Sequence, residues 1–395
     1  MSQLKPARSL LTVKRIHSLD GLRGVAALMV LLSHVMLSNP TIGSGPSIFA
    51  TWTSAWWLTD TPIHLFWGGS EAVLIFFVLS GVVLSLPLFE SGNSQLGWSG
   101  YYPRRIIRLY FPVWGALVFA AILLPVFHHL TLQGGSVWLS HTVRTMRMAN
   151  IFSFANDAFL LWEPGKVIGV LWTLKAEVGF SLLLPIFFVS AKITRRIPAT
   201  VAIAALSAAM IVGVIVGSLW ILYLPVFGFG VVLAARKEQL KSFCSKLNGF
   251  QWTGFGVLAI ALLLNRWLLA NIPGVHESAG NTSAYEIVLS APGAAMIVVL
   301  AWHCKIVTGC LNTKIVQWLG SRSYSLYLIH FPILLASAVV LGGWAVTTIL
   351  ATISLSFCAA ELFHRFIEVP SIALSHRVGR RMVHLMKRRS QTIVT

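Results

Sequence analysis

Long apolar runs dominate the pattern of hydrophobic and polar residues along the chain. Most of these runs contain the roughly 17–25 residues that a helix needs to cross the hydrocarbon core of a bilayer. Pro225 and Pro292 interrupt the sixth and the eighth run. The ten runs cover residues 20–38, 65–88, 106–127, 166–189, 199–218, 219–236, 251–270, 286–303, 323–341 and 345–368. The pattern predicts an all-α, polytopic membrane protein with about ten transmembrane helices and no soluble domain.

The composition supports this fold class. Hydrophobic residues make up 56% of the 395 residues and charged residues only 11%, whereas roughly 25% of the residues of a typical soluble domain are charged. The first run starts late, contains Asp20 and Arg23 and lacks a cleavage site, so we do not expect it to be a cleavable signal peptide. The four cysteines lack the spacing of metal ligands, and no metal site is predicted.

The net charge of +18 could indicate binding to nucleic acid, but the positions of the basic residues argue against that partner. With a cytoplasmic N-terminus and ten spans, every main basic cluster falls on the cytoplasmic side, as the positive-inside rule describes. These clusters lie at 5–15, 104–108, 192–196, 236–246, 305–322 and 365–389. We therefore expect a basic cytoplasmic segment at 1–18, a membrane domain at 19–370 and a basic, disordered cytoplasmic tail at 371–395.

Ionisable side chains lie inside several predicted spans. Arg23 and His34 share the first span, where a rise of ~1.5 Å per residue places the histidine about 16 Å beyond the arginine. The same arithmetic places Glu177 ~16 Å inside the fourth span and His330 ~10 Å inside the ninth. The two histidines and the glutamate could therefore share one level of the bilayer. Because an ionisable group at that depth is costly, these residues are candidates for a functional site.

Five sequence blocks resemble the acyltransferase-3 family of integral membrane O-acyltransferases. Arg23, ten further residues and His34 resemble the family's Arg-x10-His signature. The other blocks lie at 72–81, at 102–112, at 171–177 with Pro185, and at 319–330 followed by 368–370. They occur in the family's order and extend over nearly the whole chain.

The resemblance implies a multi-pass enzyme of the bacterial plasma membrane, and ten spans with a cytoplasmic N-terminus predict that both termini lie in the cytoplasm. It implies transfer of an acyl group, most often acetyl, from cytoplasmic acetyl-CoA or another acyl-CoA. The acceptor would be a hydroxyl of a carbohydrate or glycolipid, such as a lipopolysaccharide or an exopolysaccharide, or of another secondary metabolite. Besides this acceptor, the surrounding membrane lipids are the expected partners, and the sequence does not indicate an oligomeric state.

Within this chemistry His34 is the candidate general base, because acyl transfer to an alcohol needs a base within hydrogen-bond reach of the hydroxyl. A covalent acyl-histidine and a purely structural hydrogen bond stay open as alternatives. Glu177 could orient His34 or His330, or it could form a salt bridge with a neighbouring helix or with Lys175. His330 could be catalytic or could form a structural hydrogen bond.

Four arginines are candidates for binding the acyl-CoA, because a guanidinium binds phosphate bidentately. Arg23 could instead be an anchor at the membrane interface, paired with Asp20 three residues earlier. Arg104, Arg105 and Arg108 could equally fix the topology. Arg108 is the strongest donor candidate of these three because it lies one turn inside the helix, on the face of Arg104.

Three longer loops are expected on the outer side, at 39–64, 128–165 and 270–285. The first contains Trp52, Trp56 and Trp57, which suit a saccharide or a lipid-glycan headgroup, although tryptophans also populate the interfacial belt. Trp57 and Glu71, at the outer end of the second span, are candidate acceptor contacts, and Glu71 could equally be an interfacial residue. The histidines at 128, 129 and 141 are expected at the surface.

Two other functions fit parts of this pattern. In a proton-coupled transporter or permease, His, Glu and Arg residues at mid-membrane depth would relay protons. Transporters usually contain two related halves with helices broken at matching places, and this sequence shows no such internal symmetry. A transmembrane acyl relay that serves a separate transferase would also need Arg23 and His34, but it would leave the outer loops unspecialised.

Overall fold

The computed structural model describes residues 15–40, 42, 56–59, 61–90, 98–269 and 283–392. These residues form helices and loops, and no strand is found among them. Their eleven long helices are labelled in chain order: α1 His17–Leu37, α2 Gly69–Glu90, α3 Trp98–His129, α4 Leu171–Thr194, α5 Ala199–Val216, α6 Leu219–Ala235, α7 Gly249–Leu263, α8 Ser283–His303, α9 Lys314–Leu341, α10 Val346–Phe363 and α11 Val369–Thr392.

In the same part of the chain, seven short helices lie between the long ones. They are Trp56–Thr59, the 3₁₀ turn Pro62–Trp67, Val137–Arg147, Ile151–Phe159, Lys237–Cys244, Asn265–Leu269 and Lys305–Leu311. Two of them fold the predicted outer loop at 128–165 into the helices Val137–Arg147 and Ile151–Phe159, so that segment is more ordered than the sequence pattern indicated.

Helices α1 to α10 coincide with the ten predicted spans, which confirms the all-α, polytopic fold class. Among the described residues, eight helices are individually long and apolar enough to cross a membrane. The helix α6 qualifies together with Lys237–Cys244, to which it is joined by a bend of 75°. Helix α7 has only 15 residues, and its assignment as a span rests on the topology of the bundle.

Helices α1 and α9 lie side by side and point in the same direction. A Cβ atom on Gly24 would approach the backbone nitrogen of Gly320 to 2.5 Å, so the two backbones are in close contact there. His34 meets His330 ten residues further along both helices. Such close approach through small residues is a common way to join helices inside a membrane, where apolar burial gives little driving force.

Because α1 and α9 run in the same direction, an odd number of helices must cross the membrane between them along the chain. Helix α6 packs closely along α2, because a Cβ on Gly230 would lie only 2.0 Å from the carbonyl oxygen of Val78. It is therefore a buried helix, and if it crosses the membrane, α7 must cross as well to keep the number odd. The crossings from α2 to α8 would then number seven, which is the number that ten spans require.

The two ends of the bundle differ in charge. Three cations, Arg15, Lys237 and Lys241, line a depression of about 500 Å³ at the end where α1 and α9 begin, together with Glu90 and Glu238. We call this end the basic end. The other end holds the last turns of α1 and α9 and the short helix Val137–Arg147, and we call it the cavity end. There the amide of Ser136 donates a hydrogen bond to the carbonyl oxygen of Ser38 at 3.1 Å.

The C-terminal part of the chain is a helix, so the prediction of a disordered tail is wrong for residues 371–392. A π-helical turn, His364–Glu368, joins α10 to α11. Arg104 of α3 lies against Gly379 of α11, where a Cβ would approach its Cγ atom to 2.3 Å. The amphipathic helix α11 therefore packs along α3, which the basic composition of this segment did not reveal.

Candidate active site

His34 and His330 form a hydrogen-bonded pair where the last turn of α1 passes α9. The Nε2 atom of His330 lies 3.2 Å from the Nδ1 atom of His34. The Nδ1 atoms of the two rings lie 2.9 Å from the carbonyl oxygens of Leu326 and Val30, four residues earlier on each helix. His330 is completely buried, whereas His34 is only partly buried.

These contacts select one arrangement of hydrogens for the two neutral rings. A carbonyl oxygen can only accept, so Nδ1 of His330 carries a hydrogen and its Nε2 presents a lone pair. The Nδ1 of His34 faces two acceptors, the Val30 carbonyl and that lone pair, so it also carries a hydrogen. The Nε2 of His34 is then the basic nitrogen, and His330 is placed behind the ring, where it can stabilise a proton gained by His34.

His34 lines a cavity of about 270 Å³ at the cavity end. The ring of Trp138 lies 5.7 Å from the His34 ring, centroid to centroid, and Phe331 meets it edge-on at 5.3 Å. The remaining lining residues are His141, Thr142, Thr145, Gly165, Lys166, Val167, Gly169, Trp172 and Leu335. The basic nitrogen of the histidine pair therefore belongs to a ring that borders a space large enough for a small substrate group.

Arg23, Arg105 and Arg108 come together on the basic side of this pair. Arg108 is exposed and lies within electrostatic range of Arg105 and Arg23. Arg23 also lies 3.5 Å from Asp20, as the spacing of the two residues indicated. Arg104 is placed differently: its Nε donates to the carbonyl of Gly100 at 2.7 Å and its stem packs on α11.

The carboxylate of Glu177 forms no hydrogen bond with either histidine, so the alternative in which it orients one of them is not the one found. Its Oε1 atom accepts a hydrogen bond from the hydroxyl of Ser80 at 2.6 Å, and its Oε2 atom accepts one from Nη2 of Arg105 at 3.4 Å. Lys175 is turned away toward the carbonyl of Trp162. The alternative of a salt bridge to a neighbouring helix is therefore the one found, and through it Glu177 fixes Arg105 within the arginine cluster.

The two predicted acceptor contacts do not line the cavity at His34. Glu71 is buried at the start of α2, with its carboxylate against Gly68. Trp57 lies in the short helix Trp56–Thr59 and is exposed. Trp52 falls outside the described residues. In the described part of the chain, no group of three His, Cys, Asp or Glu side chains could hold a metal ion.

His64 is a buried histidine outside the membrane-spanning helices, in the 3₁₀ turn before α2. Its ring centroid lies 4.0 Å from that of Trp67. Burial, together with the positive charge of Arg266, lowers the pKa of His64 from 6.5 to about 3. The side chain is therefore neutral at physiological pH.

Sequence reasoning missed the residues that build the wall of the cavity. Trp138, His141, Thr142 and Thr145 lie on one face of the helix Val137–Arg147, while Leu139, Val143 and Met146 are buried on another. This spacing of three and four residues was present in the sequence and is typical of an amphipathic helix. Hydropathy alone predicts a polar loop here, because the segment is too short to span a bilayer.

Comparison with known proteins finds a family match over most of the chain. The acyltransferase domain of the acyltransferase-3 family matches residues 16–363. The peptidoglycan O-acetyltransferase OatA of Listeria monocytogenes is 26% identical over 396 residues, which cover 90% of this chain and 56% of that protein. The acyltransferase MdmB of Streptomyces mycarofaciens is 26% identical over 417 residues, which cover 93% of this chain and 94% of the relative.

This chain thus spans about half the length of the Listeria protein, and 54% of a Bacillus subtilis relative that is 25% identical. No solved structure matches it. The family match includes both histidines, all four candidate arginines and the cavity wall. Since it covers most of the chain, the protein belongs to the acyltransferase-3 family.

Proposed function

We propose that this protein is a membrane O-acyltransferase that moves an acetyl or other acyl group from cytoplasmic acyl-CoA to a hydroxyl of a carbohydrate or glycolipid. The observation that carries this proposal is the His34–His330 pair, in which the hydrogen-bond pattern leaves a basic nitrogen on a ring that borders a cavity. Membership of the acyltransferase-3 family supports the reaction class.

In the proposed reaction, Nε2 of His34 removes the proton of the acceptor hydroxyl as its oxygen attacks the thioester carbonyl. The new ester bond forms, the carbon–sulfur bond breaks, and the proton passes to the departing thiolate, which leaves as CoA thiol. While His34 is protonated, its Nδ1–H donates to the lone pair of His330, 3.2 Å away. A base in this position commonly accelerates such a step by ~10²–10⁴.

The donor enters from the basic end, which we assign to the cytoplasm. Arg23 and Arg108 bind its phosphates, and the Glu177–Arg105 pair holds the neighbouring guanidinium in place. The pantetheine arm then extends between the helices toward His34. With this assignment both termini lie in the cytoplasm, and the bacterial origin of the relatives named above supports the bacterial plasma membrane as the location.

The acceptor reaches His34 from the cavity end. The Listeria relative is named for O-acetylation of peptidoglycan, which supports a carbohydrate acceptor for this chain as well. Donor and acceptor would thus meet from opposite sides, and neither the nucleotide nor the glycan would need to cross the membrane.

The test uses purified full-length protein, labelled acetyl-CoA and a panel of N-acetylglucosamine oligomers, a peptidoglycan fragment and lipopolysaccharide. We expect His34→Ala to reduce acyl transfer by ~10²–10⁴ without changing donor binding. His129→Ala, at an exposed position, is the matched control and should behave as the wild type. Arg23→Ala and Arg108→Ala should instead weaken the binding of acetyl-CoA.

A folded His34→Ala protein with wild-type turnover would refute the role of the base. Labelled acetyl-CoA that stays intact with every glycan, while another solute is transported, would favour a transporter. Transfer of the acyl group to the protein, without any acetylated glycan, would favour the relay to a separate transferase.

A further inference from the structure

Asp157 is a completely buried carboxylate that the proposed reaction does not use. It lies near the end of the helix Ile151–Phe159, at 0% exposure. Its Oδ1 atom accepts hydrogen bonds from the backbone amides of Gly165 and Lys166 at 2.8 and 3.3 Å. Its Oδ2 atom accepts from the amides of Val167 and Ile168 at 2.9 and 3.2 Å. One side chain therefore fixes four consecutive residues of a loop.

This loop forms one wall of the cavity at His34. Gly165, Lys166, Val167 and Gly169 all line the cavity. Gly169 lies against Phe331, where a Cβ would approach the ring to 2.4 Å, and Phe331 in turn meets the His34 ring edge-on. A displacement of the loop would therefore change the shape of the cavity, and with it the distance between a bound group and Nε2 of His34.

Another wall is the face of the helix Val137–Arg147 that carries Trp138. This face adds an imidazole and two hydroxyl groups, from His141, Thr142 and Thr145. A sugar ring has an apolar face that stacks on an indole and a rim of hydroxyls that bond to polar side chains. Among the described residues no carboxylate lines this cavity, and Lys166 adds a positive charge.

The size of the cavity limits what it can hold. Its volume of about 270 Å³ is slightly below the range of roughly 300–1,000 Å³ that is typical of ligand pockets. A single sugar ring fits such a space, whereas several residues of a glycan would have to extend out of its mouth.

We propose that this cavity is the acceptor subsite and that it holds one sugar ring of the acceptor against Trp138. Asp157 is the positioning residue, because it fixes the loop that forms one wall of the cavity. The proposal rests on the acyltransferase function and deepens it by placing the acceptor. Trp138 contacts the sugar directly, while Asp157 acts through the backbone of residues 165–168.

The chemistry of the carboxylate makes Asp157→Asn an informative change. An asparagine keeps the size of the side chain but has only one accepting oxygen, and its NH₂ group would face two of the four amides. Val167 and Ile168 are buried, so unpaired amides there would force the loop to move.

Gly165→Ala perturbs the same loop without touching the carboxylate. Gly165 has a φ of +110°, and a Cβ there would lie 2.9 Å from the carbonyl oxygen of Gly169. Gly217→Ala is the matched control, because Gly217 also has a positive φ of +69° but lies in open space on a turn between α5 and α6. It should retain the kinetics of the wild type.

The experiment measures the KM of the acceptor, the KM of acetyl-CoA and kcat, with the panel glycan that the wild type acetylates. We expect Asp157→Asn, Gly165→Ala and Trp138→Ala each to raise the acceptor KM about tenfold, equivalent to the loss of one good contact. The KM of acetyl-CoA should stay unchanged. A merely structural role would reduce the fraction of active protein, which lowers kcat and leaves both KM values alone.

An acceptor KM that stays at the wild-type value in folded Trp138→Ala and Gly165→Ala proteins would overturn the proposal, even if Asp157→Asn does not fold. An equal rise in both KM values would also overturn it. Failure of the proposed function is a separate result, since in that case the wild type itself would acetylate no glycan of the panel.

Discussion

Replacing Gly320 by alanine tests whether the crossing of α1 and α9 sets the geometry of the histidine pair. A Cβ at this position would lie 2.4 Å from the carbonyl oxygen of Asp20 and 2.8 Å from its carbonyl carbon. Ordinary contacts begin at 3.4 Å, so the approach is too close by 3.4 − 2.4 = 1.0 Å. Both atoms that the Cβ would approach belong to the backbone of α1, so no flexible side chain can move aside to relieve the contact.

The two helices must therefore separate or slide by about 1 Å at the crossing. The histidines lie ten residues further along, ~15 Å away at the helical rise. Their nitrogens are 3.2 Å apart, so a comparable shift would take them beyond hydrogen-bond distance. We expect a loss of about 1–3 kcal/mol in stability from overpacking. Because a misplacement of ~1 Å at reacting groups can cost ~10² in rate, kcat should fall by a similar factor.

The assay compares acyl transfer and thermal unfolding of Gly320→Ala with those of Gly254→Ala. Gly254 lies in α7, and none of the described residues comes within 4 Å of the place that its Cβ would take, so its replacement by alanine is the matched helical control. Gly24→Ala should cause the same losses of stability and turnover. The variant with both substitutions should lose less stability than the two single variants add up to, because one separation of the helices relieves both contacts. Wild-type turnover in a folded Gly320→Ala protein would refute this account of the site.

Three further results are expected. Glu177→Gln should lower the free energy of unfolding by about 1–3 kcal/mol, because it leaves the partly buried Arg105 without its counter-charge. Removing both charges should restore part of the loss, and an additive double variant would contradict the pairing. A reporter fused after Lys246 should be cytoplasmic and one at position 140 external, and a cytoplasmic signal at 140 would reverse the proposed orientation. The pKa of His64 is about 3 in the folded protein and 6.5 as a free side chain, so its stabilising contribution is complete above pH 6.5 and is lost as the pH falls toward 3. Unfolding should become easier by up to about 1.4 kcal/mol per pH unit in that window, and His64→Gln should weaken this dependence in melting curves recorded from pH 7 to pH 4.

The spans and their order could be predicted from the sequence, because apolar length is a property of each segment by itself. The meeting of His34 with His330 was anticipated only as a shared depth. Their actual contact depends on the glycines at 24 and 320, which bring the two backbones together. The partner of Glu177 could not be derived, since the sequence indicated the depth of two histidines for this carboxylate, whereas its partner Arg105 was expected at the cytoplasmic side. Only the packing of the helices selects between them.

The cavity at His34 was the least predictable part of the candidate site. Its walls come from Val137–Arg147 and from the loop at 165–169, two segments that are too short and too polar to carry a membrane signal. Asp157 illustrates the reason. Its importance lies in four backbone amides that follow it by eight to eleven residues, and no side-chain pattern records such contacts.

The π-helical turn His364–Glu368 has a consequence for how this chain can change during evolution. The carboxylate of Glu368, the last residue of the turn, accepts hydrogen bonds from Ser325 of α9 at 2.5 Å and from His364 at 3.0 Å. These contacts fix the turn, which contains one residue more than an α-helical turn, to the centre of the bundle. Deleting one residue would restore an ordinary helical ladder but rotate everything after it by about 100°. Gly379 would then turn away from Arg104, and α11 would no longer pack against α3. Insertions and deletions should therefore be rarer here than at the turn around Gly217, where the chain has open space.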